Sequence, residues 1–354
     1  MTDAMADTAS IPSTATATAT ATATFPRLLG DVGGTNVRFA LETAPMQIGP
    51  VTALKVADFP SLEAALRQFL DGLAGTGQPL PRHAAIGLAN PVTGDQVRLT
   101  NHNWSFSIDG MRRALGLQTL VALNDFTALA LALPHLPADG LARVRAGTAI
   151  LNPPLAPLAL VGPGTGLGVS GLVPAPGGQV VALAGEGGHI ELMPVTDDEW
   201  VAWRAAHRQV GRVSAERLLS GAGLSQIHAA LAAETGTLLL APLQPEQVTD
   251  GAFQRNDPLC QRTMTVFFGL LGSVAADIAL VLGARGGVYL GGGILPRFVP
   301  ALQASAFTER FVAKGRMRGW LEDVPVHVIT ARHPALPGLA RALAERLDRR
   351  AGNA

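Results

Sequence analysis

The chain holds one cysteine, Cys260, in 354 residues. That excludes an internal disulfide and a cysteine-built metal cluster. It also fits a reducing compartment, and a cytoplasmic location is the expectation. Lysine is nearly as scarce. Lys55 and Lys314 stand alone, and neither follows a glycine. A Walker phosphate loop needs Gly-Lys-Ser/Thr, so that loop is excluded. Charge is sparse too, at 15% of residues, and 27 basic side chains cancel 27 acidic ones. No electrostatic footprint for nucleic acid or an acidic membrane results. The start of the chain lacks a basic segment followed by an apolar core, so no signal peptide is expected. Residues 1–24 end in an Ala-Thr repeat. Such a composition cannot bury enough apolar surface to offset its ordering entropy, and a disordered tail is expected.

What is present points to a soluble globular protein. Hydrophobic residues make up 48% of the chain, and this length suggests two domains with ample cores. The organising stretch is Leu28 to Leu41, LLGDVGGTNVRFAL. Gly33 and Gly34 can turn sharply and carry no side chain to hold a ligand away. Free N–H groups in such a turn form an anion-binding concavity. Thr35 and Asn36 add short polar donors. Asp31 ends the first strand, and a carboxylate beside a phosphate is tolerated mainly with a cation between them. The stretch reads as a phosphate hairpin with Asp31 facing Mg²⁺. The alternative is an ordinary Gly-Gly hairpin with Asp31 as a turn former.

Leu158 to Leu172, LALVGPGTGLGVSGL, repeats the theme with Gly164-Thr165 in the place of Gly34-Thr35. A dinucleotide fingerprint would need a third glycine opening a helix. In the spacing from Gly162 that position is Leu167, and a strand follows. Two Gly-Thr hairpins in separate halves suggest two phosphate clamps, built from backbone N–H groups and a metal.

Other elements follow in order. Ser61 caps a helix over 62–73, His83–Leu88 is a buried strand, and Thr119–Leu123 is another. Asn124-Asp125 stands at that strand's carboxyl end, before a helical run over 127–133. Ligands gather at such ends, but Asn and Asp are also favoured caps. One of the pair can cap while the other serves chemistry. Pro134–Gly147 reads as a loop crossing between domains. Gly185 to Glu191, GEGGHIE, lets Glu186 and the backbone approach a small ligand. The alternative is a hairpin turn with a surface Glu and a half-buried His189. Glu216 opens a short helix, where it can simply complement the dipole. Met264–Gly283 is long and apolar enough to be tested as a membrane span. Asp277 within it and the next strand close behind favour a buried helix instead. Gly291-Gly292-Gly293 follows a strand and allows close backbone approach. Lys314, Arg316 and Arg318 read as a solvated basic face, and 334–350 reads as an amphipathic C-terminal helix.

In combination and order, GDVGGTN, TNHNW, LNDFTALA, VGPGTGLG, EGGH, SAERLLSG and LGGGI resemble the motifs of the bacterial glucokinases. The resemblance runs from about Phe25 to the C-terminal helix. The separate repressor and sugar-kinase family carries a cysteine-rich zinc motif, which one cysteine rules out. The resemblance implies an α/β, two-domain actin-like ATPase (ribonuclease H-like) fold with an active-site cleft between domains. Residues 25–135 plus 334–354 would form the small domain and 136–333 the large one. It implies ATP-dependent phosphorylation of glucose at the 6-hydroxyl. By motif, Asp125 would be the general base, and Asn124, Asp125, Glu186, His189 and Glu216 would hold the sugar. Asp31, Gly33, Gly34, Thr35 and Asn36 would form the first phosphate loop, with Asp31 meeting Mg²⁺ through water. Gly164, Thr165 and Gly166 would form the second, and Gly291, Gly292 and Gly293 would lie by adenosine. Asn101 and His102 match a motif without an assigned contact. Glucose and ATP are the expected partners, with no nucleic acid or membrane, and the assembly is left open to a homodimer. The rival readings are a non-catalytic sugar sensor, a kinase for another hexose, and an actin-like or chaperone-like ATPase without a sugar substrate.

Overall fold

Two glycine turns, each flanked by apolar runs of strand-forming residues, set the frame. The computed structural model describes residues 25–75, 77–99, 103–147 and 156–352. The Ala-Thr tail, Asn101 and His102 lie outside the described residues. One compact unit runs to Ala122 and takes up the chain again at Leu343; the second is Leu123–Ala342.

In the first unit Arg27–Val32 (β1) and Asn36–Ala44 (β2) pair antiparallel, with Asp31 opposite Arg38 and Val32 opposite Val37. Val37, Phe39 and Leu41 stand two apart and enter one core, as the alternation of a strand requires. Gln47–Ile48 (β3) and Thr52–Lys55 (β4) both pair with β2. His83–Leu88 (β5) lies parallel to β1. Gln96–Arg98 (β6) and Ser105–Ser107 (β7) form a separate ribbon, and Thr119–Asn124 (β8) completes the main sheet beside β5. Helix α1 (Leu62–Ala74) starts where Ser61 Oγ accepts from Ala64 N–H at 3.1 Å. Helix α2 (Ile108–Ala114) is capped by Ser107 in the same way, and Asp125–Ala132 (α3) follows β8 without a break.

The second unit repeats the pattern. Its strands are Leu141–Arg145 (β9), Leu158–Pro163 (β10), Leu167–Ala175 (β11), Gln179–Ala184 (β12), Gly287–Leu290 (β13) and Val326–Ile329 (β14). Among the described residues they lie in the order β12-β11-β10-β13-β14-β9. As in the first sheet, an antiparallel hairpin contributes its first strand to a parallel neighbour, here β10 beside β13.

Strand β9 corrects the loop expected over 134–147. Its sequence, LARVR, alternates Ala142 and Val144 with Arg143 and Arg145. Ala142 and Val144 between them pack on the core, while Arg145 donates to the Val324 and Glu322 carbonyls at 2.8 and 2.6 Å. The charges masked a short strand that pairs antiparallel with β14.

Around this sheet lie α4 (Asp197–Val210), α5 (Ala215–Leu218), α6 (Gly221–Glu234), α7 (Pro245–Phe253) and α8 (Pro258–Leu282). Helix α8 is the apolar segment considered above as a membrane span. Asp257 caps its start by accepting from Cys260 N–H at 2.9 Å, and Gly283 ends it at φ 62°, the left-handed stop that glycine allows. Its most apolar window is 72% buried inside the protein. Phe267, Leu270, Leu271 and Val274 enter the core, each worth about 1.5–3 kcal/mol when fully buried. Asp277 lies on the outer side and meets Lys314 Nζ at 2.6 Å. Lys314 is thus an ion-pair partner rather than part of a freely solvated basic face.

Candidate active site

In the first unit the turn over residues 33–36 closes when Gly33 N–H donates to the Asn36 carbonyl at 3.0 Å. Gly34 and Thr35 are exposed at its tip, and Val56 N–H donates to the Thr35 carbonyl at 2.9 Å. Asp31 is half-buried at the end of β1, its Oδ2 3.3 Å from Arg38 Nη1. Arg38 enters as the cross-strand partner of Asp31. Sequence reading did not name it, because the pairing depends on the turn length. Asp31, Gly33, Gly34, Thr35 and Asn36 are therefore gathered on one hairpin.

The second unit gathers the rest. The turn over 164–166 is one residue shorter than the first, with Pro163 opposite Leu167 as its last pair. Gly164 N–H donates to the Gly166 carbonyl, and Gly221 N–H donates to the Gly164 carbonyl, both at 2.8 Å. Glu216 Oε2 accepts from Leu167 N–H at 2.9 Å. Its carboxylate occupies the space where a Cβ on Gly166 would fall. Ser220 caps α6 by accepting from Gly223 N–H at 3.1 Å. The SAERLLSG corner is thus tied to the phosphate-type hairpin at both of its ends.

The EGGH turn rests on the same hairpin. His189 N–H donates to the Glu186 carbonyl at 3.0 Å, and Ala215 N–H donates to the Ile190 carbonyl at 2.8 Å. A Cβ on Gly187 would lie 2.7 Å from Val169 Cγ1, and one on Gly188 would overlap the Leu167 carbonyl oxygen. These two glycines let the turn lie directly on β11. Glu186 and His189 remain exposed, and His189 Nδ1 stands 4.0 Å from Glu216 Oε1. Exposed carboxylates of this kind accept sugar hydroxyls in charge-assisted hydrogen bonds.

At the start of α3, Asn124 Oδ1 accepts from Phe126 N–H at 2.9 Å and Thr127 N–H at 3.1 Å. Asn124 is the cap. Its Nδ2 donates to Asp125 Oδ1 at 3.1 Å, which also accepts from Phe126 N–H at 2.8 Å. Asp125 is the first helical residue, where the helix dipole favours an ionised carboxylate. The Phe126 ring lies over Gly162 and Gly168. Neither Phe126 nor this glycine pair stood out in the sequence, although Phe126 adjoins Asp125.

Beside the hairpin, Gly291 N–H donates to the Val161 carbonyl at 2.9 Å. Gly292 has φ 80°, and a Cβ there would overlap the Pro163 carbonyl, whereas Gly293 is exposed with open space around it. The second unit therefore assembles Asn124, Asp125, Gly164, Thr165, Gly166, Glu186, His189, Glu216 and Gly291–Gly293 around one hairpin. Among the described residues no three His, Cys, Asp or Glu side chains form a self-sufficient metal cluster.

The chain is similar to known proteins in sequence and in fold. A family model described as glucokinase matches residues 28–346. A glucokinase of Cupriavidus pinatubonensis is 74% identical over 348 residues, 98% of each chain. The crystal structure of a glucokinase from an Antarctic psychrotroph is similar with a TM-score of 0.79 at 36% identity, covering 90% of this chain and 99% of that one. The glucokinase of Balamuthia mandrillaris in complex with glucose matches with a TM-score of 0.70, covering 90% of this chain and 93% of that one. At 17% identity that last likeness speaks for the fold alone. The repeated hairpin-and-parallel-strand sheets are those of the actin-like ATPase fold, and the chain belongs to the glucokinase family.

Proposed function

We propose that Asp125 is the general base with which this chain phosphorylates glucose. The reaction is that of the family: ATP gives its γ-phosphoryl group to D-glucose, and glucose 6-phosphate and ADP result. A cytoplasmic location, where ATP is at hand, goes with that activity.

The observation carrying the assignment is the division of labour at the start of α3. Asn124 takes the cap, with both Phe126 N–H and Thr127 N–H on its oxygen. The Asn124 cap holds Thr127 N–H without help from Asp125, and the Asp125 carboxylate, which also accepts from Phe126 N–H, is the group that takes the 6-hydroxyl proton as that oxygen attacks phosphorus. Glu186, His189, Glu216 and Asn124 hold the sugar hydroxyls. Glu216 also orders the second hairpin through Leu167 N–H, so sugar and phosphate sites share a side chain. Thr165 and Gly166 present backbone donors to phosphate from the turn that Gly164 N–H closes, as do Gly34 and Thr35 from the turn closed between Gly33 and Asn36. Gly291–Gly293 let adenosine approach the backbone. Phosphoryl transfer needs positioning and charge neutralisation more than covalent help, and backbone donors supply both where lysine is scarce.

Mg²⁺ suits the donor set. It keeps several waters and is usually held by one or two carboxylates together with substrate phosphates. Asp31, at the end of β1 beside the Gly33–Asn36 turn, is such a carboxylate. When bound, the ion neutralises phosphate charge.

The rival reading is a sugar sensor that retained the pocket, or a kinase for another hexose. ADP release with glucose, with other hexoses and without sugar separates them. Asp125→Asn tests the base. It keeps an oxygen to accept from Phe126 N–H but cannot take the proton. Turnover should fall by about 10²- to 10⁴-fold, with glucose binding changed far less. Near-normal turnover would leave Asp125 a structural residue.

A further inference from the structure

The two hairpins differ in character at the second cross-strand pair from the turn. In the first, the pair next below Val32–Val37 is Asp31–Arg38, joined side chain to side chain. In the second, the pair next below Pro163–Leu167 is Gly162–Gly168. Residues directly opposite in a ladder project to the same face. Two opposed glycines therefore leave a gap in the sheet face two side chains wide. The Phe126 ring fills it. A Cβ on Gly162 would lie 2.5 Å from Phe126 Cζ, and one on Gly168 would meet the ring's Cδ2, Cε2 and Cζ at less than contact distance. No positive φ requires glycine at either position. Space for the ring accounts for Gly168, and the ring together with the nearby Gly291 backbone accounts for Gly162.

Phe126 is also bonded to the base. Its N–H is shared between Asp125 Oδ1 at 2.8 Å and Asn124 Oδ1 at 2.9 Å. The ring thus fixes the start of α3 on the strands that carry Gly164–Gly166, and the N–H fixes the carboxylate on the ring's own backbone. We propose that Phe126, seated in the Gly162–Gly168 gap, is the positioning residue that holds Asp125 at its working distance from the phosphate hairpin. This rests on the reading of Asp125 as base. Phe126 touches no reacting atom. It acts on turnover because displacing a catalytic group by about 1 Å can cost on the order of 10²-fold.

The test uses Phe126→Leu, Gly168→Ala and the double variant in the full-length protein, with Asp125→Asn alongside. Gly168→Ala pushes on the ring from the sheet side, and Phe126→Leu removes the ring. Each single variant should lower kcat about 10-fold or more while the glucose KM stays within about threefold. The double variant should be no worse than Phe126→Leu, because the added methyl then has no ring to meet. All rates are taken below the melting midpoint of the least stable variant. If kcat stays normal in both single variants, if kcat and KM change together, or if the two losses multiply, the positioning role is overturned. Asp125→Asn separates the layers. A normal rate there removes the base assignment, whereas a large loss with unaffected Phe126 variants removes only the positioning role.

Discussion

Gly188→Ala offers a measured way to ask what the EGGH turn does. Gly188 is buried, and its α-carbon faces the Leu167 carbonyl oxygen, so that an added methyl would overlap it. Its φ is not positive, so the substitution carries no torsional penalty and the cost is overlap alone. Forcing a methyl into packed space typically costs about 1–3 kcal/mol. That energy has two outlets. If the whole second unit absorbs it, the melting midpoint drops by roughly 2–4 °C per kcal/mol for a domain of this size. If the turn lifts off β11 instead, stability is kept and Glu186 and His189 move away from the sugar position proposed for them. Each ~1.4 kcal/mol then appears as about a tenfold rise in glucose KM, up to roughly 100-fold. The two outlets draw on one quantity, so a large shift in one limits the other. Thermal melting and a coupled assay at saturating ATP read both. Gly185→Ala is the control, because a Cβ there would meet nothing within 4 Å. A Gly188→Ala protein with normal melting and normal KM, or a control that loses as much, would refute the reasoning.

Two other outcomes are expected. Gly292→Ala combines a left-handed φ with overlap on the Pro163 carbonyl, so it should lose about 2–5 kcal/mol of stability and raise the ATP KM. Gly293→Ala, one residue on in open space, should stay within about 0.5 kcal/mol; comparable melting curves for the pair would contradict this. Burial holds the His83, His228 and His327 imidazoles below the ordinary histidine range, aided at His83 by Arg27, Arg350 and Arg82 and at His327 by Arg143, and opposed at His228 by Asp257. The unfolded chain therefore binds more protons, and stability present above about pH 6.5 falls as pH drops, by up to ~1.4 kcal/mol per pH unit for each histidine. Melting midpoints at pH 7.5 and 5.5 should show the fall, and an unchanged midpoint would count against it.

Much of the fold is legible because its signals are local. Ser61 announces a helix start and caps it in the expected way. The two Gly-Thr turns lie between strands because a short apolar run, buried along nearly its whole length, leads into each. The apolar stretch ending at Leu282 is a core helix, as Asp277 and the nearby strand suggested. Strand β9 was hidden because arginines alternate with its core-facing residues. What local signals cannot carry is the choice of partner. Nothing in SAERLLSG says that Glu216 will meet Leu167 N–H, and nothing in VGPGTGLG says that its glycines will receive a ring from α3. Likewise Asn124 and Asp125 are equivalent as caps on paper. Phe126 N–H is shared by both, and the bond from Thr127 N–H to Asn124 Oδ1 distinguishes them.

The near-absence of lysine has a practical consequence. Lys55 is exposed on β4, in register with Asn36, and its neighbour Val56 is bonded to the Thr35 carbonyl. Lys314 is drawn against Asp277, with 23% of its side chain accessible. Amine-selective acylation should therefore mark one side chain first, and that side chain borders the Gly33–Asn36 turn. Among side chains, two ε-amines of which one is ion-paired leave in effect one reporting position, read apart from the more acidic backbone α-amine by its peptide. Mass spectrometry of a brief acylation pulse with and without ATP can test whether nucleotide occupies this turn without an engineered handle.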